Sequence, residues 1–313
     1  MAEQQNPRVS IGLPVRNGDK YLNQSISALL AQSWTDFELI ICDNASDDAT
    51  ESICRRFAAS DPRIRYVRHQ TNLGLTANFN GAFALSSGEY FKWATADDIC
   101  QPRYVEACVR FLDENPDFVL AYPKTTFIDQ AGNPLEINDP GWDMRSDDTA
   151  ARFRFVIFAG HWNNACLGIV RRSAMLKTSL LANYPSADSR LLGELAMQGK
   201  VAELPESLYL RRIHPQSSSQ NTEDAAWLAK YYRGNNKSLC LPFWNLSLDH
   251  WRTIWRSDLK LTAKLSLSGS LLHSMRWRQQ HLWSEVRFAA RALFGRIPSA
   301  PPTPVRTAAS SGH

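Results

Sequence analysis

The segment Trp93-Ala94-Thr95-Ala96-Asp97-Asp98 follows the apolar run Tyr90-Phe91 and stops short of Pro102. Adjacent carboxylates at the end of a strand are hard oxygen donors, suited to holding a divalent metal against a diphosphate. The first expectation is therefore chemistry on a sugar nucleotide. Two further positions sit in comparable places: Pro14 ends the β-like run 9–13, and Asp43 ends the apolar run 37–42.

The elements that must carry these residues are legible in the spacing. Strands are predicted at 9–13, 37–42, 64–67 and 90–94. After Gly18 the apolar positions Leu22, Ile26, Leu29 and Leu30 recur at helical spacing. Asp48 and Glu51 have the spacing of a capping box for a helix to Ala59, and Asn72 to Thr76 opens another that runs through Asn80 and Ala84 to Ser87-Gly88. Such short alternation predicts an α/β fold with a mainly parallel sheet flanked by helices. Ligands of such sheets bind at the carboxyl ends of the strands, where Pro14, Asp43 and Asp97 all fall. Further on, helices are predicted at 104–113, 149–158 and 189–197, and strands at 118–122, 125–128 and 167–170, with a turn at 129–133. This second half is assigned to the acceptor.

Composition narrows the class. With 313 residues, 44% hydrophobic and 21% charged, the chain can bury one sizeable core or two modest ones, which excludes a disordered protein. A net charge of +4 gives no argument for nucleic acid as a partner. Six cysteines without C-x-x-C spacing predict neither a zinc site nor a disulfide framework. Residues 1–7 lack a signal-peptide layout and no uncharged apolar run reaches membrane-spanning length, so the cytoplasm is the expected location. From Asn221 the composition shifts toward Trp, Arg and Leu, and 298–313 reads as a disordered Pro/Ala/Ser tail. The expected organisation is a catalytic domain at 1–220, with a nucleotide-sugar half at 8–115 and an acceptor half at 116–220, then a helical extension at 221–297. Between His273 and Arg296 five arginines stand against one glutamate. Leu272, Met275, Leu282, Val286, Ala289 and Leu293 form a stripe at helical spacing beside Trp277 and Trp283. Through residues 271–296 such a helix either lies peripherally on an anionic membrane, at its inner face, or packs on the catalytic domain or another subunit.

In order and spacing, several segments resemble the inverting GT-A glycosyltransferases of family 2. They are Pro14-Val15-Arg16-Asn17, Asp43-Asn44-Ala45-Ser46-Asp47-Asp48, Asn72-Leu73-Gly74, Asn80-Gly81, Gly88-Glu89-Tyr90, Ala96-Asp97-Asp98, and Leu204-Pro205-Glu206-Ser207-Leu208-Tyr209 leading to Arg212-Ile213-His214. The resemblance covers about residues 8–218. It implies a nucleoside-diphosphate sugar as donor, a UDP-sugar favoured, and a glycan, lipid-linked or other hydroxyl acceptor. It also implies Mg²⁺ or Mn²⁺ at Asp97, with His214 completing the metal site. Asp98 shares the metal or holds the ribose. Asp43 accepts from the base edge of the nucleotide, the backbone of Pro14, Val15, Arg16 and Asn17 frames the base with Arg16 near the phosphates, and Asn72, Gly74 and Asn80 belong to the same donor-binding set.

Inversion needs a base on the face opposite the leaving group. The family's acidic pair at the start of a later helix corresponds to Ala187-Asp188, which makes Asp188 the general base, with Glu194 in reserve and helix N-capping as the other role for Asp188. The chain departs from the family pattern at Thr95, where a carboxylate is usual, at Phe79, where a basic residue is common, and at Ala187. A site with one carboxylate fewer binds metal more weakly. These departures motivate the alternative of a catalytically inactive sugar-nucleotide or glycan-binding scaffold. The sequence has no G-x-G-x-x-G, no Gly-rich basic loop after the first strand and no P-loop, which argues against dehydrogenases, nucleotidyltransferases and P-loop enzymes. For the acceptor region, His161, Trp162, Asn163, Asn164 and Trp142 are candidate contacts, core packing being the other role for the tryptophans.

Overall fold

The computed structural model describes residues 6–159, 162–215, 217 and 241–293. Val9–Val15 (β1), Phe37–Asp43 (β2), Ile64–Arg68 (β3) and Tyr90–Trp93 (β4) alternate with helices Asp19–Leu30 (α1), Thr50–Ser60 (α2) and Leu75–Ala84 (α3). These four strands are parallel, in the order β3-β2-β1-β4. All of β1 and β4 is buried, as expected of strands covered on both faces. α3 lies very close over β1. A Cβ on Gly12 would sit 2.9 Å from the Cβ of Ala82 and 3.0 Å from the Phe91 ring, so only glycine allows this approach.

After the short strand Ile99–Cys100 (β5) come Tyr104–Glu114 (α4), Phe118–Ile128 (β6), Thr149–Phe158 (α5), Ile169–Arg171 (β7), Arg172–Met175 (α6), Ala187–Gln198 (α7) and Lys200–Arg212 (β8). They extend the sheet to eight strands, β3-β2-β1-β4-β7-β6-β8-β5. Here the sheet is less parallel than expected: β7 is antiparallel to β4 and β6, and β5 to β8, while β6 and β8 are parallel. The two strands expected at 118–122 and 125–128 are one strand, with its register against β8 broken around Pro123 and Lys124. Proline carries no ladder N–H, and the irregularity absorbs its place.

Three helices follow: Pro242–Arg256 (α8), Leu261–Trp277 (α9) and Gln279–Leu293 (α10). Ile254, Leu267 and Leu271 pack against Ala150, Phe153 and Ile157 of α5 to make a second core. Glu285 of α10 accepts from the Phe243 and Trp244 N–H groups at 2.9 and 3.2 Å, placing a carboxylate on the N-terminus of α8. The expected stripe at 272–293 is divided between two helices at Arg278. Met275 and Leu282 face inward, whereas Leu272, Trp277, Trp283 and Val286 are exposed. A single helical face therefore does not form. Among the described residues no helix is long and apolar enough to cross a membrane. The segment expected to be a disordered tail, 298–313, lies outside the described residues, as does His161.

Candidate active site

A cavity of about 680 Å³ opens at the carboxyl ends of β1 and β4. That volume is in the range of small-molecule sites. One wall is the loop after β1. Asn17 adopts φ +52°, a left-handed conformation that asparagine tolerates. Its N–H donates to Ser46 Oγ (3.0 Å), its Nδ2 donates to Asp47 Oδ1 (2.6 Å), and its Oδ1 accepts from the Asp47 N–H (3.0 Å). Arg16 donates to the carbonyls of Asn44 and Ala45 at 3.0 and 3.3 Å. The loops after β1 and β2 are thus latched together, with Pro14, Val15, Arg16 and Asn17 on the cavity surface.

Asp48 does not close a capping box. Its Oδ1 accepts from the Thr50 N–H at 2.9 Å and its Oδ2 from the Asp19 N–H at 3.2 Å, joining the starts of α2 and α1. Burial alone would raise this carboxyl, but the bonds from Thr50 and Asp19 hold it below the usual range.

Asp43 lies behind the wall rather than on it. It is fully buried, accepting from the N–H and Oγ of Ser46 (2.9 and 2.6 Å), from the Tyr66 hydroxyl (2.8 Å) and from Arg68 Nε (3.2 Å). Asn44, one residue on, reaches the cavity and bonds Asn72 Oδ1 (2.9 Å) and the Gly74 carbonyl (3.1 Å). Gly74, at φ +86°, starts α3. Asn72 lines the cavity, but Asn80 turns away and pairs with the backbone of Leu181 through its Nδ2 (2.9 Å) and Oδ1 (3.2 Å).

The opposite side is built from the loop after β4 and the end of β8. Asp97 Oδ2 and His214 Nε2 meet at 2.9 Å, although they are far apart in sequence. Asp98 is buried and accepts from Thr95 Oγ1 (2.5 Å), the Tyr209 hydroxyl and the Arg212 N–H (2.7 Å). Burial and the neighbouring Asp97 carboxylate push Asp98 up to about 6. Thr95, standing where a carboxylate is usual, is thus a donor to Asp98.

Two basic residues at the end of β8 acquire a role only in three dimensions. Arg212 is buried and donates to the carbonyls of Asp97 (3.0 Å), Asp129 (3.2 Å) and Gln130 (3.1 Å) and to Gln24 Oε1 (2.9 Å), and it lies 4.5 Å from the Tyr21 ring centre. Arg211 bonds Asn164 and lies over the Trp162 ring. A third cation, Lys92, is fully buried under the loop, with Nζ bonded to the Trp93 and Leu167 carbonyls and 4.2 Å from the centre of the Tyr104 ring. The sequence signal for it was a lysine within the apolar run 90–94.

Asp188 occupies the first turn of α7, beside Cys166, whose thiol is pushed up to about 12 by burial and then by the Asp188 charge. Its Oδ1 accepts from its neighbour's N–H, that of Ser189, at 2.9 Å. Neither Asp188 nor Cys166 lines the cavity, whereas Leu167, next to Cys166 in sequence, does. Glu194 is engaged elsewhere, by the Ser179 N–H and Arg190. Trp142 is buried core, its Nε1 donating to the Trp162 carbonyl, so it offers no face to a sugar.

Residues 10–180 match glycosyl transferase family 2, more than half of the chain, and the protein belongs to that family. An uncharacterized glycosyltransferase of Methanocaldococcus jannaschii is 32% identical over 138 residues, covering 44% of this chain and 48% of that protein. The chain spans about half the length of this relative. Among solved structures, the S. aureus TarS fragment 1–349 in complex with UDP-GlcNAc superimposes with a TM-score of 0.65 at 15% identity, over 86% of this chain and 72% of that one. A mannosyltransferase from Pyrobaculum calidifontis in complex with GDP-Man and Mn²⁺ gives a TM-score of 0.55 at 15% identity, over 95% and 78%. The fold is GT-A.

Proposed function

We propose that the protein is an inverting transferase that moves a sugar from a nucleoside-diphosphate sugar, a UDP-sugar favoured, to a hydroxyl of a glycan or lipid-linked acceptor, with Asp188 as general base. The observation that carries this reading is the meeting of Asp97 and His214 in a cavity also lined by Arg16, Lys20 and Arg211. An anionic diphosphate is complemented by this set of cations. The neighbour solved with UDP-GlcNAc supports the choice of a UDP-sugar.

Asp97 and His214 fit a divalent metal in part. They supply one hard oxygen and one imidazole nitrogen, while both Asp98 oxygens are already occupied by protein donors. No group of three ligating side chains occurs among the described residues, so the phosphates of the donor would complete the shell of Mg²⁺ or Mn²⁺. Bound there, the metal supplies neutralisation of the charge that develops on the leaving diphosphate. The protein's own part is positional. Asp43 fixes the loop that frames the base, Pro14 to Asn17 and Asn72 form the frame, and Asp98 and Arg212 hold Asp97. Asp188 takes the proton from the acceptor hydroxyl as the hydroxyl oxygen attacks the anomeric carbon, and the bond from that carbon to the diphosphate oxygen breaks, its electron pair leaving with the nucleoside diphosphate. The free cysteines Cys42, Cys54, Cys100, Cys108 and Cys166 suit catalysis in a reducing cytoplasm.

The test is a donor panel of UDP-, GDP- and dTDP-sugars with Mn²⁺, read as nucleoside-diphosphate release. Asp188→Asn is expected to abolish transfer with donor affinity nearly intact, and Asp97→Asn to remove the Mn²⁺-dependent part of donor binding. Full turnover by Asp188→Asn would move the base elsewhere. The alternative, an inactive scaffold, is favoured by Thr95 and would show donor binding with no release across the whole panel.

A further inference from the structure

We infer that the outer face of α8 and α9 is a docking surface for an anionic lipid bilayer. Nine of the twelve large apolar side chains that are exposed among the described residues fall between 248 and 286. They are ordered on the helices. Leu248, Trp251 and Trp255 of α8 lie within about 60° of arc, and Leu261, Leu265 and Leu272 of α9 within about 40°. Trp251 and Trp255 are in ring contact at 5.8 Å, and Lys264 donates to the Trp255 carbonyl at 3.2 Å, so the two stripes meet where α8 ends and α9 begins. The inward faces are already used: Ile254, Leu267 and Leu271 belong to the second core. What remains outside is apolar, with these six side chains 40–62% exposed.

Charge selects the occupant. Residues 241–293 contain eight Lys and Arg against three acids. Glu285 is buried against the start of α8, and Asp249 accepts from the Tyr184 hydroxyl at 2.8 Å and pairs with Arg190 and Arg252. Asp258 is the acid left exposed on the described extension. Arg252 and Arg256 border the α8 stripe, Lys260 sits in the connection, and Lys264 and Arg276 flank the α9 stripe on its two sides. An apolar stripe rich in Trp and Leu, rimmed by Lys and Arg, matches the acyl boundary and the anionic headgroups of a membrane surface. A second copy seated on this face would set like charges against each other, which opposes association. The surface shares only Leu272 with the stripe expected at 272–293, which is divided at Arg278.

The experiment is co-sedimentation of the full chain with vesicles of phosphatidylglycerol and phosphatidylcholine, and with phosphatidylcholine vesicles alone, alongside the double variant Trp255→Ser/Leu265→Ser. Neither residue touches the cavity, and circular dichroism checks that the variant keeps its fold. The expected result is binding to the anionic vesicles that weakens with salt and falls about tenfold or more in the double variant, since two apolar side chains no longer leave water. A charge variant, Arg256→Glu/Lys264→Glu, is expected to lose the preference for anionic vesicles and keeps the test decisive should the first variant unfold. Absence of vesicle binding, equal binding by the double variant, or equal binding to neutral vesicles would each overturn the inference. So would a concentration-dependent dimer in sedimentation velocity that the double variant abolishes without lipid. No donor or acceptor is present in these assays, so their failure leaves the catalytic reading untouched.

Discussion

Asp98 holds the candidate metal site together. Two adjacent carboxylates repel, and one of them is buried, and this is offset by the Arg211 charge and by the bonds that Thr95, Tyr209 and the Arg212 N–H donate to Asp98. Tyr209→Phe removes one of those donors while preserving the ring that packs on Tyr104. The expected loss is about 1–3 kcal/mol, read from the urea midpoint. Weaker Mn²⁺-dependent donor binding should accompany it, because Asp97 is fixed through the same loop. At this scale the sequence was informative where chemistry and order coincide, as at Asp97 and His214. It gave no role to Lys92, a lysine within an apolar run, or to Arg212, part of the motif ending in His214, because their significance lies in which rings and carbonyls the fold brings to them. Asp43 and Asn80 show the converse. Their residue types were legible, but the sequence did not reveal that protein donors already surround the first or that Leu181 claims the second.

At the scale of elements, α7 is held from behind. Tyr184, just before it, and Arg190, within it, both reach Asp249 of α8, and His250 packs with its ring edge against Phe153. Burial, and then the positive charge of Arg278, lower His250 to about 4; Asp249 and Arg190 also face it. The fold thus favours neutral imidazole, while an unfolded chain takes up a proton near pH 6.5. The resulting stability is full above about pH 6.5 and is lost as pH falls toward 4, amounting to about 3 kcal/mol. Denaturant titrations across this window should show the slope, and His250→Leu should flatten it. The helices themselves were largely visible beforehand. Thr149–Phe158 and Tyr104–Glu114 fall where apolar spacing put them. The direction of β7 was not visible, because a buried three-residue strand reads the same either way and its neighbours decide its sense. The break at Arg278 was missed for a related reason: a periodic stripe does not reveal that its two halves pack on different surfaces.

For the whole molecule, the cavity is shared between the loops of the parallel half of the sheet and the end of β8, the proposed base belongs to α7, and the C-terminal helices brace that helix. The family match ends at residue 180, before α7, β8 and the extension. His214, on the cavity wall, and Asp188, the proposed base, therefore lie outside the matched segment, and the position of each depends on how the later chain folds back onto the earlier one.

The second core, shared by α5, α8 and α9, bears on how the chain can be divided. Ala150, Phe153 and Ile157 have most of their apolar partners beyond residue 241, with Phe158 and Met197 before it. A polypeptide halted at residue 220 would emerge with that face uncovered and α7 unbraced, and should accumulate in inclusion bodies or on chaperones rather than as an active catalytic fragment. Soluble yield and donor-induced thermal shift of such a fragment, compared with the full chain, measure this. A well-folded, donor-binding fragment would mean that the extension is an attachment; an aggregating one would make it part of the minimal folding unit, synthesised after the sheet and required before the rest is protected.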